Sequence, residues 1–235
     1  MIPWEKLDEA QVPEYEGKVT LLKRGAEFSL RTAGTELMNS RRHGSEDALA
    51  EITCRRLKRK PGARILIGGL GMGYTLATAL KHSAPDARIT VSELIPAVVK
   101  WNREYLGHLA GMPLNDSRVS LREEDVSETI GKQESAWDAI LLDVDNGPGG
   151  LTRKANDRLY GRSGLKKAFS ALAPEGILAV WSCGVDEPFG HRLKQCGFGM
   201  ETLTVSARKP GKGGKHILWI ARKPGGTTGN SSSKK

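Results

Sequence analysis

Hydrophobic and polar positions change rhythm along this chain. From Arg64 onward, short apolar runs alternate with stretches whose apolar residues recur at helical spacing. Five runs read as strands: Arg64 to Ile67, Arg88 to Glu93, Val119 to Arg122, Ala139 to Asp143 and Ile177 to Trp181. Between them Tyr74 to Ser83, Ile95 to Leu106 and Arg162 to Leu172 read as helices, bounded by Pro85-Asp86, Gly107 and Pro174-Glu175-Gly176. Val185 to Cys196 reads as another helix, interrupted by Pro188. Such alternation builds an α/β fold with a doubly wound, mostly parallel sheet covered on both faces. Met200 to Ser206 and His216 to Ala221 face each other across a Gly-, Lys- and Pro-rich loop, which gives the sheet an antiparallel last strand.

Upstream of Arg59 the pattern differs. Val19 to Leu22 and Glu27 to Thr32 flank Lys23-Arg24-Gly25 and predict a small β-hairpin. Ser45 to Lys58 has acids early and bases late, as a helix dipole favours, and Pro61-Gly62 stops it. The polar end from Lys223 lacks the apolar surface to fold. The expected organisation is therefore a hairpin-and-helix extension over 1–60, one Rossmann-like domain over 61–222 and a disordered tail over 223–235.

Composition narrows the class. A length of 235 residues suits one substantial core. The apolar runs are strand-sized, far below the roughly 20 residues a membrane span needs, so no membrane partner is expected. The start of the chain shows neither a basic nor an apolar leader segment, which predicts a cytoplasmic protein. Cys54, Cys183 and Cys196 are widely spaced with no Cys-x-x-Cys pair, so no metal site is expected. The net charge of +9 raises a nucleic-acid partner, but much of the excess sits in Arg55 to Lys60, Arg208 to Lys215 and the last two lysines. These are places where charge is readily solvated, and no aromatic series interleaves with them as a stacking platform would require. Nucleic acid is therefore not favoured over a small-molecule substrate.

The strongest constellation is Ile65-Leu66-Ile67-Gly68-Gly69-Leu70-Gly71-Met72-Gly73, followed by a helix and by Glu93 at the end of the next strand. Glycines at Gly68, Gly69, Gly71 and Gly73 permit a tight turn and close ligand approach, and a carboxylate at the second strand tip can accept from both ribose hydroxyls. The spacing Gly69-x-Gly71-x-Gly73 differs from the dinucleotide pattern and favours S-adenosylmethionine. Asp125, after the third strand, is a candidate for the adenine amino group; its alternative is a helix N-cap.

These residues, with Ser92-Glu93-Leu94, Asp125-Val126, Trp137 to Asp143, Gly147-Pro148 and Leu172-x-Pro174-x-Gly176, resemble the class I S-adenosylmethionine-dependent methyltransferase superfamily, and within it the spermidine synthase-like branch. The resemblance covers about Leu37 to Ala221. It implies a transferase using S-adenosylmethionine or its decarboxylated form on a small amine or related acceptor, and leaves room for a homodimer. The chain departs from the branch in three places. The aspartate inside the glycine turn, which contacts the aminopropyl portion of the decarboxylated donor, falls on Gly71. The branch's upstream Tyr and His have no clear counterparts near His43 to Ala50, although Glu46 can match an acid there. The Asp-Ser-x-Asp-Pro motif survives loosely as Asp143-Val144-Asp145-Asn146.

In an open parallel sheet, ligands lie beyond the carboxyl ends of the strands, so Asp143, Asp145 and Asn146 should face the reacting group. An amine nucleophile must lose a proton before it attacks carbon beside a sulfonium. Asp143 is the preferred acceptor of that proton and Asp145 the next, the alternative being that both acids cap the following helix or contact only the cofactor. Tyr160 can close over the substrate, with Glu46 and Asn146 binding it. Two other functions stay open at this point: an RNA methyltransferase, though no Asn-Pro-Pro-Tyr or Asp-Pro-Pro-Tyr motif is present, and a non-catalytic nucleotide-binding protein of the same fold.

Overall fold

The structure is a computed structural model that describes residues 2–13, 17–144, 147–148, 158–208 and 212–225. Four antiparallel strands come first: β1 (Glu5–Gln11), β2 (Lys18–Arg24), β3 (Glu27–Thr32) and β4 (Thr35–Asn39), paired in that order. The expected hairpin is β2 and β3, with Leu21 opposite Leu30. The outer two strands enlarge it into a sheet. Helix α1 (Gly44–Arg56) follows, with Glu46 and Asp47 in its first turn and Arg55 and Arg56 in its last.

The second sheet has seven strands: β5 (Arg64–Gly68), β6 (Arg88–Ser92), β7 (Val119–Arg122), β8 (Trp137–Leu142), β9 (Leu172–Ser182), β10 (Gly199–Arg208) and β11 (Lys212–Arg222). Their order is β10-β11-β9-β8-β5-β6-β7. Strands β5 to β9 pair in parallel, and β11 runs antiparallel to both β9 and β10, as the sequence predicts for the last strand. Order reverses beside β5, the place where such a sheet opens a crevice.

Ile65, Leu66 and Ile67 in β5 are fully buried, because a central parallel strand is covered on both faces and reads as a continuous apolar run. Their side chains still alternate. Ile65 and Ile67 join Leu49, Leu76, Val98 and Trp101 on one face, where α1, α2 (Tyr74–His82) and α3 (Pro96–Trp101) lie. Leu66 joins Ile130, Leu165 and Phe189 on the other, under α4 (Val126–Gly131), α5 (Arg162–Ala171) and α6 (Glu187–Gln195). Each such side chain contributes about 1.5–3 kcal/mol on burial.

Helix α6 begins at Glu187, so Pro188 occupies its first turn instead of interrupting it. That position has no helical acceptor for its N–H in any case, and Asp186 caps the turn by accepting from the Phe189 N–H at 2.8 Å. The N-terminal sheet is tied over the carboxyl ends of the parallel strands: the Trp101 indole donates to Asp8 at 2.8 Å and the Tyr74 hydroxyl to the Ser40 carbonyl at 3.1 Å. Among the described residues no helix is long and apolar enough to cross a membrane.

Candidate active site

The turn after β5 is built from backbone that side chains would obstruct. Gly69 has φ +89°, and a Cβ there would lie 2.5 Å from the Asp143 carbonyl oxygen. Its N–H donates to the Ser92 carbonyl at 2.9 Å, which fixes the turn to β6. Gly71 also has positive φ, and its Cβ would lie 2.9 Å from the Met38 sulfur. Met38 of β4 thus occupies the space beside the position where the resembling branch carries an aspartate, and its sulfur accepts from the Met72 N–H at 3.2 Å.

Glu93 is buried at the tip of β6. One of its oxygens accepts from the Leu70 N–H at 2.8 Å and the other from the Ile95 N–H at 2.9 Å. Burial raises its pKa and these backbone donors oppose the rise. The carboxylate therefore clamps the glycine turn, a role not expected from sequence, while also lining the cavity beside it. Asp125 is the N-cap of α4, with Oδ1 accepting from the Ser127 N–H at 2.8 Å, so its capping alternative is realised; the same residue also lines the cavity.

That cavity, of about 450 Å³, lies between the N-terminal sheet and the carboxyl ends of β5, β6, β8 and β9. Gly69, Gly71, Glu93 and Asp125 meet there with Glu46, Asp143 and Trp181, while Val19, Leu30, Leu37 and Val98 supply apolar wall. A depression of about 520 Å³ lined by Arg59, Lys81 and Arg118 is more open and sits at the opposite, amino-terminal end of the strands. Ligands of open α/β sheets bind at the carboxyl end, so the smaller cavity is the candidate site.

Two carboxyls line it. Asp143, just past β8, accepts from the Thr75 hydroxyl at 2.7 Å, and Glu46, in the first turn of α1, accepts from the Ser45 hydroxyl at 2.5 Å. Burial, and after it the nearby Asp143 charge, pushes Glu46 up to about 7. Burial pushes Asp143 up to about 6 against the opposing Thr75 hydrogen bond. Two desolvated acids that feel each other's charge cannot both ionise readily, so together they hold a proton near neutrality.

The remaining expected residues separate clearly. Asp145 and Asn146 lie outside the described residues. Tyr160 lies in the core instead of on the cavity wall: it is 1% exposed, its ring meets Phe189 edge-on at 5.7 Å and its hydroxyl donates to the Val144 carbonyl at 3.5 Å. Its neighbour Leu159 reaches the cavity. Beside the site, ahead of α1, Arg41 and Arg42 are engaged by Glu27 and Glu36, and His43 stacks on Tyr74 and pairs with Asp47, none of them a residue the sequence assigned to the site. In the basic run, Arg55 pairs with Glu51, Arg56 with Glu201 and Lys60 with Asp138. Sequence reasoning missed Met38 and Thr75. Met38 is contributed by a strand the pattern did not show, and Thr75 is a lone hydroxyl with no motif. Among the described residues no group of three or more His, Cys, Asp or Glu side chains could hold a metal ion.

Comparison with known proteins bears on this geometry. The polyamine aminopropyltransferase of Prochlorococcus marinus (strain AS9601) is 28% identical over 121 residues, which is 51% of this chain and 41% of that relative, so the chain spans less than half of the relative's length. The spermidine synthase of Thermotoga maritima shares the fold, with a TM-score of 0.74 and 16% identity over 93% of this chain and 72% of that one. A spermidine synthase solved in complex with the transition state analogue AdoDATO superposes with a TM-score of 0.72, again at 16% identity and the same coverage. The spermine/spermidine synthase domain profile matches residues 50–189, a span that holds the glycine turn, Glu93, Asp125 and Asp143. With more than half of the chain matched and the turn, the strand-tip acids and the cavity in one place, the chain belongs to the spermine/spermidine synthase domain family.

Proposed function

We propose that this cavity transfers an aminopropyl group from decarboxylated S-adenosylmethionine to a polyamine-type acceptor. The observation that carries the reading is the Glu46–Asp143 acid pair on the wall beside the glycine turn. The names of the relatives, polyamine aminopropyltransferases and spermidine synthases, support the choice of aminopropyl over methyl transfer.

An adenosyl ligand fits the residues present. Gly69 and Gly71 bring backbone without side chains to the cavity wall, and the Glu93 carboxylate lines the same cavity. Glu93 would take the sugar hydroxyls there and Asp125 the adenine amino group. When bound, the donor supplies an electrophilic carbon next to a sulfonium. The chain's own groups do the rest. Asp143, held by Thr75, and Glu46 orient a cationic amine and take its proton at a carboxylate oxygen. The apolar wall of Val19, Leu30, Leu37 and Val98 excludes water and strengthens these charges. With glycine at position 71, recognition of the donor's terminal ammonium falls to the same two acids.

Calorimetry with decarboxylated S-adenosylmethionine, S-adenosylmethionine and methylthioadenosine tests the reading. The decarboxylated donor should bind most tightly, because a donor carboxylate would meet two acids, and Glu93→Gln should weaken it by roughly tenfold or more. Tighter binding of S-adenosylmethionine, or of none of the three, would overturn it.

A further inference from the structure

The acid pair is connected to the outer sheet by a chain of hydrogen bonds between residues far apart in sequence. Glu46 Oε2 accepts from the Ser45 hydroxyl at 2.5 Å, and Ser45 Oγ lies 2.8 Å from His216 Nδ1. Ser45 is fully buried. Gly44 seats the start of α1 directly on β10, since a Cβ there would lie 3.0 Å from the Ser206 carbonyl oxygen, and β11 carries His216 opposite Val205 of β10. The imidazole meets the Trp181 ring edge-on at 4.6 Å. On its far side Nε2 lies next to Gly214, an exposed residue of the β10–β11 hairpin. The chain thus runs from a cavity-facing carboxyl, through a buried hydroxyl, to a half-buried imidazole whose Nε2 lies beside an exposed glycine.

We propose that Ser45 and His216 form a proton relay that carries the proton taken up by Glu46 out of the cavity. This rests on the transfer reading for the source of the proton, an acceptor ammonium, but not for the relay itself. With Glu46 ionised, the Ser45 hydroxyl donates its single hydrogen to Oε2, so the Nδ1–H of His216 donates to Ser45 Oγ. With Glu46 protonated and Nδ1 bare, every bond reverses. The Glu46 proton then passes to Ser45 Oγ, the Ser45 proton passes to Nδ1, and the imidazolium releases its Nε2 proton to water. Glu46 is left ionised and the ring is left protonated at Nδ1. A turn of the imidazole about Cβ–Cγ, with loss of the Nδ1 proton to water and uptake of one at Nε2, restores the starting tautomer; the transfer itself moves no heavy atom.

The electrostatic surroundings suit this role. Burial and the Asp143 charge keep Glu46 ready to hold a proton, with the Ser45 hydroxyl and His43 pulling the other way, and Tyr74 is a further titratable neighbour. Burial and the Arg42 charge depress His216, so an imidazolium formed there gives its proton up. Ser45, Glu46 and His216 all lie outside the segment that the family profile matches, 50–189.

The test uses the whole protein, with the His216 ring nitrogens followed by 15N NMR over pH in wild type, Glu46→Gln and Ser45→Ala. The relay expects Glu46→Gln to lower the His216 pKa by on the order of half a unit, through loss of the ionisable partner, and Ser45→Ala to uncouple the two groups. This readout needs no substrate, so it decides the relay whether or not transfer is observed. In turnover, His216→Asn, which keeps a donor at the Nδ1 position but cannot relay, should lower kcat roughly tenfold with KM within about twofold, and should shift the acid limb of the pH profile. A His216 titration indifferent to Glu46→Gln, or a Ser45→Ala pH profile that superimposes on wild type, would overturn the proposal.

Discussion

Replacing Glu46 by glutamine should stabilise the free protein above neutrality while abolishing its chemistry. The ordinary value for this carboxyl is 4.5 and burial with Asp143 raises it to about 7 in the folded protein. Between those values the folded state holds more protons than the unfolded chain, so the contribution of this group to stability is greatest below pH 4.5 and declines as pH rises through 7. At about 1.4 kcal/mol per unit the shift corresponds to about 3 kcal/mol. Part of it is repulsion shared with Asp143 and is not additive, so the net gain in Glu46→Gln at pH 8 should be on the order of 2 kcal/mol. In a chain of this size that raises Tm by about 4–8 °C. At pH 4 the variant and wild type should melt together, because glutamine is isosteric with the protonated acid and can still accept from Ser45. Glu27, Asp116 and Glu124 are lowered to about 2 by Arg24, Arg118 and Lys132 respectively, and their contribution has the opposite sign. They lose stabilisation only as pH falls below the ordinary carboxylate range, and being near the surface they add little, so the two windows do not overlap. Circular dichroism melts from pH 4 to 8 provide the assay. Parallel wild-type and variant curves across that range would refute the reasoning that two desolvated acids share the cavity.

Other outcomes follow from the same geometry. Gly69→Ala should cost at least about 2 kcal/mol in chemical denaturation and remove nucleoside binding, since its Cβ would lie 2.5 Å from a backbone oxygen at φ +89°. Gly62→Ala, with φ +60° and open space around it, should cost only about 1 kcal/mol and leave binding intact. Gly71→Asp alone should destabilise the protein, because its Cβ would crowd the Met38 sulfur at 2.9 Å at a φ of +51°; combined with Met38→Ala it should recover the part of the loss that comes from crowding and bind decarboxylated S-adenosylmethionine more tightly, as calorimetry would show. Asp138→Ala should lower stability by about 2 kcal/mol, because it strips the Arg64 N–H and Lys60 of their buried acceptor, without changing turnover of the folded fraction.

The parallel half of the fold was legible because its strands carry their signal locally. Ile65 to Ile67 and Ala139 to Leu142 are apolar without interruption, and in the fold they are buried on both faces. Strand β1 was not legible: Glu-Lys-Leu-Asp-Glu-Ala-Gln lies at the edge of its sheet, largely exposed, and no apolar alternation is required of it. Pro188 shows the limit of reading breakers without position, since it disrupts a helix interior yet suits a first turn. The glycine turn, Glu93, Asp125 and Asp143, which meet at the cavity, are visible in the sequence because their spacing is local to strand ends. The clamp that Glu93 makes on Leu70 and Ile95, and the Met38 sulfur beside Gly71, depend on which backbone atoms meet after folding. Ser45 and His216 stand 171 positions apart, so no spacing could join them. The position of Tyr160 after a Gly- and Arg-rich loop suggests that it closes over the substrate, whereas a Tyr next to Phe189 and Leu165 gains more from the core.

The most direct measurement is mass spectrometry of the products formed from decarboxylated S-adenosylmethionine and a diamine. Wild type should release methylthioadenosine together with an amine lengthened by one aminopropyl unit, in equal amounts, and Asp143→Asn should reduce both roughly a hundredfold or more. Methylthioadenosine without a lengthened amine, or full turnover by Asp143→Asn, would contradict the claim that the acid pair in this cavity prepares the amine for attack.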